Sequence, residues 1–260
     1  MLHLQSGITV TNENFCLTVR HEFPAHIILS IPHDGLISPD LAGLLEPRTQ
    51  GVRGRDRHVW PIAKDILLKC VSRGMSVSAV RLLMPRAYVD ANRPLPKHEV
   101  YDPDVQGQTA LEDHRLVSIY NHYHAQLANL VQASIATSGP RDVLLLDLHG
   151  FGKQPAMAPP SGYDLILGTG NRATIPHGDI DQLFAWRMQD CGYKVFLPGE
   201  KSVHPKGDPY SAGHITRYYS QKYGINAIQI EIAPWFRSKE GMAQGKTLAE
   251  NIALFFAPAW

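Results

Sequence analysis

The sequence predicts an α/β fold, a three-layer αβα sandwich around a mixed, largely parallel central sheet. Three observations predict it. Short apolar, β-branched runs read as buried strands, helical patterns lie between several of them, and Pro- and Gly-rich stretches follow strand ends.

The strand runs are Ile27 to Ile31, Val77 to Leu83, Val143 to Leu148, Leu165 to Leu167, Lys194 to Leu197 and Ala227 to Ile232. The clearest helix runs from about Leu111 to Ala136. Leu116, Ile119, Tyr123, Leu127, Leu130 and Ser134 keep a three-to-four spacing there, and Gly139-Pro140 stops it. Further helices are predicted over Val59 to Val71, Ile180 to Asp190, His214 to Tyr223 and Ala243 to Phe256. The stretches Asn92 to Gly107, Gly150 to Gly162 and Pro198 to Gly213 read as site loops, because open α/β sheets bind ligands beyond the carboxyl ends of their strands. No repeat or low-complexity linker divides the chain, so residues 1–260 are read as one domain.

Composition narrows the function classes. With 25 basic against 24 acidic residues and a formal charge of +1, no basic stripe invites nucleic acid or an anionic membrane. Cys16, Cys70 and Cys191 are far apart and odd in number, which disfavours a disulfide framework. The N-terminal residues show no basic start with an apolar run behind it, and no apolar stretch approaches membrane-spanning length, so a cytoplasmic location is the default expectation.

Two histidines sit where strands run into turns. Ser30-Ile31-Pro32-His33-Asp34-Gly35 presents one imidazole at a strand's carboxyl end, and Asp147-Leu148-His149-Gly150 presents another. Period-two alternation puts Asp147 and His149 on one side, where the carboxylate could orient the imidazole. A single histidine at a strand end is more often structural, but two such ends shift the balance. Arg86 to Pro94 contains Arg86, Asn92 and Arg93, a set that suits a carboxylate clamp and equally suits surface salt bridges. Glu231, among isoleucines, is either paired or held with a raised pKa for proton transfer. Asp56, in Arg55-Asp56-Arg57-His58, opens a helix, and spacing alone does not separate a helix cap from a ligand.

HExxH, GxSxG and the phosphate-binding GxxxxGKS/T are all missing, and Gly168-Thr169-Gly170 lacks the rest of a dinucleotide fingerprint. His122 and His124, two apart on a predicted helix, point to different faces. His204 and His214 lie in or beside a site loop and are candidates for substrate contact.

In this order the segments resemble the N-formylglutamate amidohydrolase family, whose layout is similar to zinc carboxypeptidases and aspartoacylases. The pieces are Ile31-Pro32-His33 with Gly35, Asp56, Arg86 to Pro94, Asp147-Leu148-His149, Leu167-Gly168-Thr169, Ile215-Thr216-Arg217-Tyr218-Tyr219, and Ile228 to Ala233 around Glu231. The resemblance implies a phosphorylase/hydrolase-like fold and a zinc site made by His33, Asp56 and His149 with a fourth position open to water, although another divalent metal would also suit these ligands. It further implies that Glu231 moves the proton of a zinc-activated water, that Arg86 stabilises the oxyanion, and that Asn92 and Arg93 hold the substrate carboxylate. Arg217 and His204 join the substrate contacts. The substrate so implied is N-formyl-L-glutamate, the deformylase substrate of histidine degradation, or a related small N-acyl amino acid.

The sequence departs from the family at several places. Asp34 follows His33 and Gly150 follows His149 where serine is usual, and Pro209-Tyr210-Ser211-Ala212-Gly213 replaces the phenylalanine-lysine-glycine-glycine of typical members. The segment between Pro94 and Tyr123 is shorter and lacks a threonine-rich stretch. These departures are expected where substrate side chains are read. Asp34 is the alternative oxygen ligand, but its adjacency to His33 makes joint chelation awkward and favours Asp56. Two further readings share the layout: a carboxypeptidase-like or cell-wall peptide amidase, and a non-catalytic carboxylate-binding protein of the same fold.

Overall fold

The computed structural model describes residues 7–95, 109–152, 162–197 and 210–257. The strands are β1 (Ile8–Glu13), β2 (Cys16–His21), β3 (Ile27–Ile31), β4 (Val77–Leu82), β5 (Leu144–Gly150), β6 (Leu165–Gly168), β7 (Val195–Phe196) and β8 (Asn226–Ile232). They form one sheet in the order β1-β2-β4-β3-β5-β8-β6-β7. The central four, β4, β3, β5 and β8, are parallel, whereas β2 and β6 join them antiparallel. Among the described residues six helices flank the sheet: α1 (Pro39–Ala42), α2 (Val59–Val71), α3 (Val117–Ser138), α4 (Ile180–Asp190), α5 (His214–Tyr223) and α6 (Met242–Phe256).

Strand alternation builds the two outer layers. Leu29 and Ile31, Leu146 and Leu148, and Ile228, Ile230 and Ile232 pack with α2, α4 and α6. The intervening Ile28, Leu145 and Ala227 pack with α3 and α5. Both faces are therefore apolar, as buried parallel strands require, and each fully buried Leu or Ile side chain contributes roughly 1.5–3 kcal/mol. On α3 the buried residues include Ile119, Tyr123, Leu127, Leu130 and Ser134, the stripe that the spacing predicts, and Gly139 ends the helix. That helix starts at Val117 and not near Leu111, because a 3-10 turn over His114–Leu116 precedes it, with the Asp113 side chain accepting from the Arg115 N–H.

The N-terminal hairpin is new relative to the sequence reading. Asn14 and Phe15 turn between β1 and β2 with φ of 45° and 58°. Paired positive φ values suit a two-residue hairpin, but the usual glycine signal is missing from this pair. β1 is largely exposed, an edge strand with little apolar patterning to reveal it. The predicted strand Lys194 to Leu197 shortens to Val195–Phe196. Among the described residues, no helix is long and apolar enough to cross a membrane.

Candidate active site

Towards their carboxyl ends, β3, β5 and β8 turn polar on the face that carries α3 and α5. Ser30 pairs in register with Asp147, Asp147 with Gln229, and His149 with Glu231, so one row of side chains crosses three strands. His33 follows the end of β3 and faces His149 across the gap. Gly35 is required two residues on, since a Cβ there would stand 2.3 Å from the Met84 carbonyl oxygen.

Three donor atoms converge in this place. His33 Nδ1 and His149 Nδ1 are 3.0 Å apart, and Asp56 Oδ2 is 3.4 Å from each. The outer nitrogens are held by carboxylates: His33 Nε2 donates to Asp90 Oδ1 at 2.7 Å and His149 Nε2 to Asp147 Oδ2 at 2.9 Å. A carboxylate only accepts, so each bond places a proton on Nε2 and turns the Nδ1 lone pair inward when the ring is neutral. Two such lone pairs beside a carboxylate repel one another unless a proton or a metal cation lies between them. Donor atoms about 2.0–2.1 Å from a tetrahedral zinc stand about 3.3 Å apart, so the spacing fits a small divalent ion. His33, Asp56 and His149 form the group of potential metal donors among the described residues.

The carboxylates behind the imidazoles are themselves held. Asp147 Oδ1 accepts from the Ser30 hydroxyl, whose oxygen lies 2.8 Å from the Tyr123 hydroxyl. Thr216 Oγ1 lies 3.4 Å from Asp147 Oδ2. Asp90 accepts the Asn92 N–H on Oδ1 and Arg86 Nε on Oδ2, with Arg48 Nη1 at 3.4 Å. Burial alone would raise the Asp90 pKa, but the Arg86 guanidinium and the His33 imidazole hold it well below the ordinary carboxylate range.

The carboxylates of Asp34 and Asp56 point to different places. Asp34 is buried, accepts from Arg55 Nε at 2.8 Å, and takes the Trp60 N–H at 2.8 Å in the first turn of α2. It therefore performs the capping that the sequence allowed for Asp56. Asp56 turns away from α2: its N–H donates to the His33 carbonyl and its Oδ2 accepts the Gly150 N–H at 3.2 Å. Asp34 and Gly150, expected where substrate side chains are read, both have protein partners. Asp34 serves α2 and Arg55, and the space beside Gly150 is filled by the Arg237 guanidinium.

Glu231 stands beside His149 on β8 and is buried, with Gln229 Nε2 donating to its Oε1 at 2.9 Å. Burial pushes its carboxyl up to about 7; the Asp56 charge adds to this, while His149 and Arg86 oppose it. Gln229 also accepts the Gly213 N–H and so ties Glu231 to the loop before α5. Asn92 is buried, with its Oδ1 taken by the Ile215 N–H and its Nδ2 3.4 Å from His149 Nε2. Arg93 Nη1 donates to the Asn92 carbonyl, and Arg217 Nε donates to the Ala212 carbonyl. His204 lies outside the described residues, as do most of the three Pro- and Gly-rich stretches.

Arg237 carried no mark in the sequence, and Tyr210 was marked only as part of the loop that departs from the family. Tyr210 packs its ring 6.1 Å from Phe151. Its phenol is pushed up to about 12 by burial and by the nearby Glu231 and Asp56 charges. Arg237 reaches back from a 3-10 turn after β8. An arginine five residues past a strand reads as a surface residue until the chain is folded.

The metal-free site makes a pH-dependent prediction. Burial lowers the His149 pKa, but the Asp147 and Asp56 carboxylates outweigh it and raise the imidazole to about 10. Between pH 6 and 9 an entering ion must therefore expel one proton from His149. Apparent metal affinity is expected to rise about tenfold per pH unit across that window. Chelator competition measures this, and a flat profile would remove His149 from the donor set.

The sequence profile of the N-formylglutamate amidohydrolase family matches residues 25–234. Among solved structures, an N-formylglutamate amidohydrolase from Ralstonia eutropha is similar at a TM-score of 0.65 and 17% identity, covering 96% of each chain. A gene product of Agrobacterium tumefaciens is similar at a TM-score of 0.60 and 16% identity, over 97% of this chain and 95% of that one. At these identities the two structures show a shared fold. No curated protein sequence matches the chain. The profile spans all three donor residues and Glu231, and the chain belongs to the N-formylglutamate amidohydrolase family.

Proposed function

We propose that the chain is a cytoplasmic zinc-dependent amidohydrolase that cleaves the amide bond of N-formyl-L-glutamate or a related N-acyl amino acid. The observation that carries this reading is the convergence of His33 Nδ1, His149 Nδ1 and Asp56 Oδ2 within 4.8 Å of one another, with Glu231 in register beside His149. Family membership supports the amide substrate. His33, Asp56 and His149 would hold a zinc ion, which when bound would supply a Lewis acid and a water of near-neutral pKa.

The protein's own groups do the rest. Glu231, with its carboxyl near neutrality, accepts a proton from the attacking water and returns it to the leaving amine. Arg86 is fixed by Asp90, and its guanidinium supplies positive charge where the carbonyl oxygen becomes an oxyanion. Arg93 holds the substrate carboxylate, and Arg217 supports that side through the loop before α5. Asn92 shares the clamp: its carboxamide oxygen accepts the Ile215 N–H at the start of α5, which leaves the Nδ2 donor for a substrate carboxylate.

Zinc-loaded protein tested side by side on N-formyl, N-acetyl and short peptide substrates checks the reading. Turnover of N-acyl amino acids is the expected outcome. Release of a C-terminal residue from peptides, with no turnover of N-acyl amino acids, would overturn it.

A further inference from the structure

We infer that Arg237 is a positioning residue that sets the spacing of the metal donors and Glu231 by binding the backbone beside three of these residues at once. Its Nη1 donates to the Arg57 carbonyl at 2.8 Å, one residue past Asp56. Its Nη2 donates to the Phe151 carbonyl at 2.7 Å, two residues past His149. Its Nε donates to the Ile232 carbonyl at 3.0 Å, one residue past Glu231. The three segments come from the loop before α2, the end of β5 and the end of β8, which are far apart in sequence. The backbone carbonyl of Arg237 in turn lies against His58 Nδ1, closing a fourth link to the Asp56 loop.

Three nitrogens of one rigid planar group thus fix three chain segments relative to one another. A lysine offers donors from a single point and cannot span the same carbonyls. Room for the guanidinium depends on Gly150, where a Cβ would lie 2.2 Å from Arg237 Cζ. Gly150 also donates its N–H to Asp56 Oδ2, so the tether presses on a residue that contacts the donor set directly. The group is largely buried and makes no close ion pair among the described residues; Asp56, Glu231 and Asp34 balance its charge from further away. Displacement by a few tenths of an ångström at each segment would open the donor triangle while leaving the sheet intact.

This inference rests on the metal-site reading above, and its test separates the two. Arg237→Lys is measured for metal affinity by chelator competition, for the absorption spectrum of the cobalt-substituted protein, and for kcat and KM. Expected are an affinity about tenfold or more weaker, an altered cobalt spectrum, and kcat lower by about tenfold with KM within about twofold. Gly150→Ala, which keeps Arg237 but displaces its guanidinium, should reproduce the pattern. A folded Arg237→Lys protein with wild-type metal affinity and spectrum overturns the tether and leaves the metal site standing. Failure of both variants to fold also counts against it, since the group would then hold the fold and not tune the site. A wild-type chain that binds no divalent metal overturns the metal-site reading itself.

Discussion

Replacing His149 with alanine is expected to abolish stoichiometric metal binding and to lower turnover by about a thousandfold or more. The imidazole supplies one corner of a triangle whose other corners are His33 Nδ1 and Asp56 Oδ2. Two donors and solvent hold a divalent ion far less well than three, and the ion's Lewis acidity leaves with it. The same change removes the partner of Asp147, a fully buried carboxylate that keeps Ser30 Oγ at 2.7 Å and Thr216 Oγ1 at 3.4 Å. Leaving one of its acceptor positions unmatched costs roughly 1–3 kcal/mol. A domain of ordinary stability, about 5–15 kcal/mol, survives that loss. The variant should therefore fold without its metal, which metal analysis and circular dichroism together establish. His26→Ala, at the amino end of β3 where the ring meets the Asp142 carbonyl, is the matched control at the far end of the sheet. Full metal retention with wild-type turnover in His149→Ala would end the ligand assignment.

The central strands and the two imidazoles are legible in the sequence because their signals are local. A parallel strand buried on both faces must be continuously apolar, and a histidine that ends such a run has nowhere to go but the sheet's carboxyl edge. Asp147 is legible for the same reason, since alternation along one strand sets it beside His149. Asp56 is legible only through the family resemblance, because spacing leaves open whether a carboxylate caps α2 or faces the imidazoles. The answer lies in Asp34, 22 positions earlier, whose Oδ2 already accepts from Trp60. Asn92 shows a related limit. Beside two arginines it reads as part of a clamp, and the contact that orients its carboxamide, from Oδ1 to the Ile215 N–H, spans a separation of 123 residues. Arg237 escapes notice because its partners are backbone groups brought together only by the folded sheet. The N-terminal hairpin is hidden for a different reason, its turn being made by Asn14 and Phe15 without glycine. Pattern reveals what neighbours along the chain decide, and tertiary contacts decide the rest.

Glu231→Gln is expected to lower kcat by about 10²–10⁴-fold while the metal stays bound, the magnitude that general-base catalysis contributes. The amide preserves the shape, and its oxygen still accepts from Gln229 Nε2. What it loses is the capacity to take and return a proton. Stability should move the other way in the metal-free protein. The Glu231 carboxyl rises from an ordinary 4.5 to about 7, chiefly because burial penalises its charge. Between those values the folded chain holds a proton that the unfolded chain has released, so the wild type loses stability as pH rises from 4.5 to about 7. Glutamine has no charge to bury and is spared that loss. Metal-free Glu231→Gln should then match or exceed the wild type in denaturant midpoint at pH 7.5 and lose the advantage near pH 4.5. A residue kept for folding alone would show the opposite, a variant less stable at every pH with turnover per folded molecule unchanged. That result would remove Glu231 from the reaction, whereas a stable, metal-loaded and inactive variant places the proton transfer there.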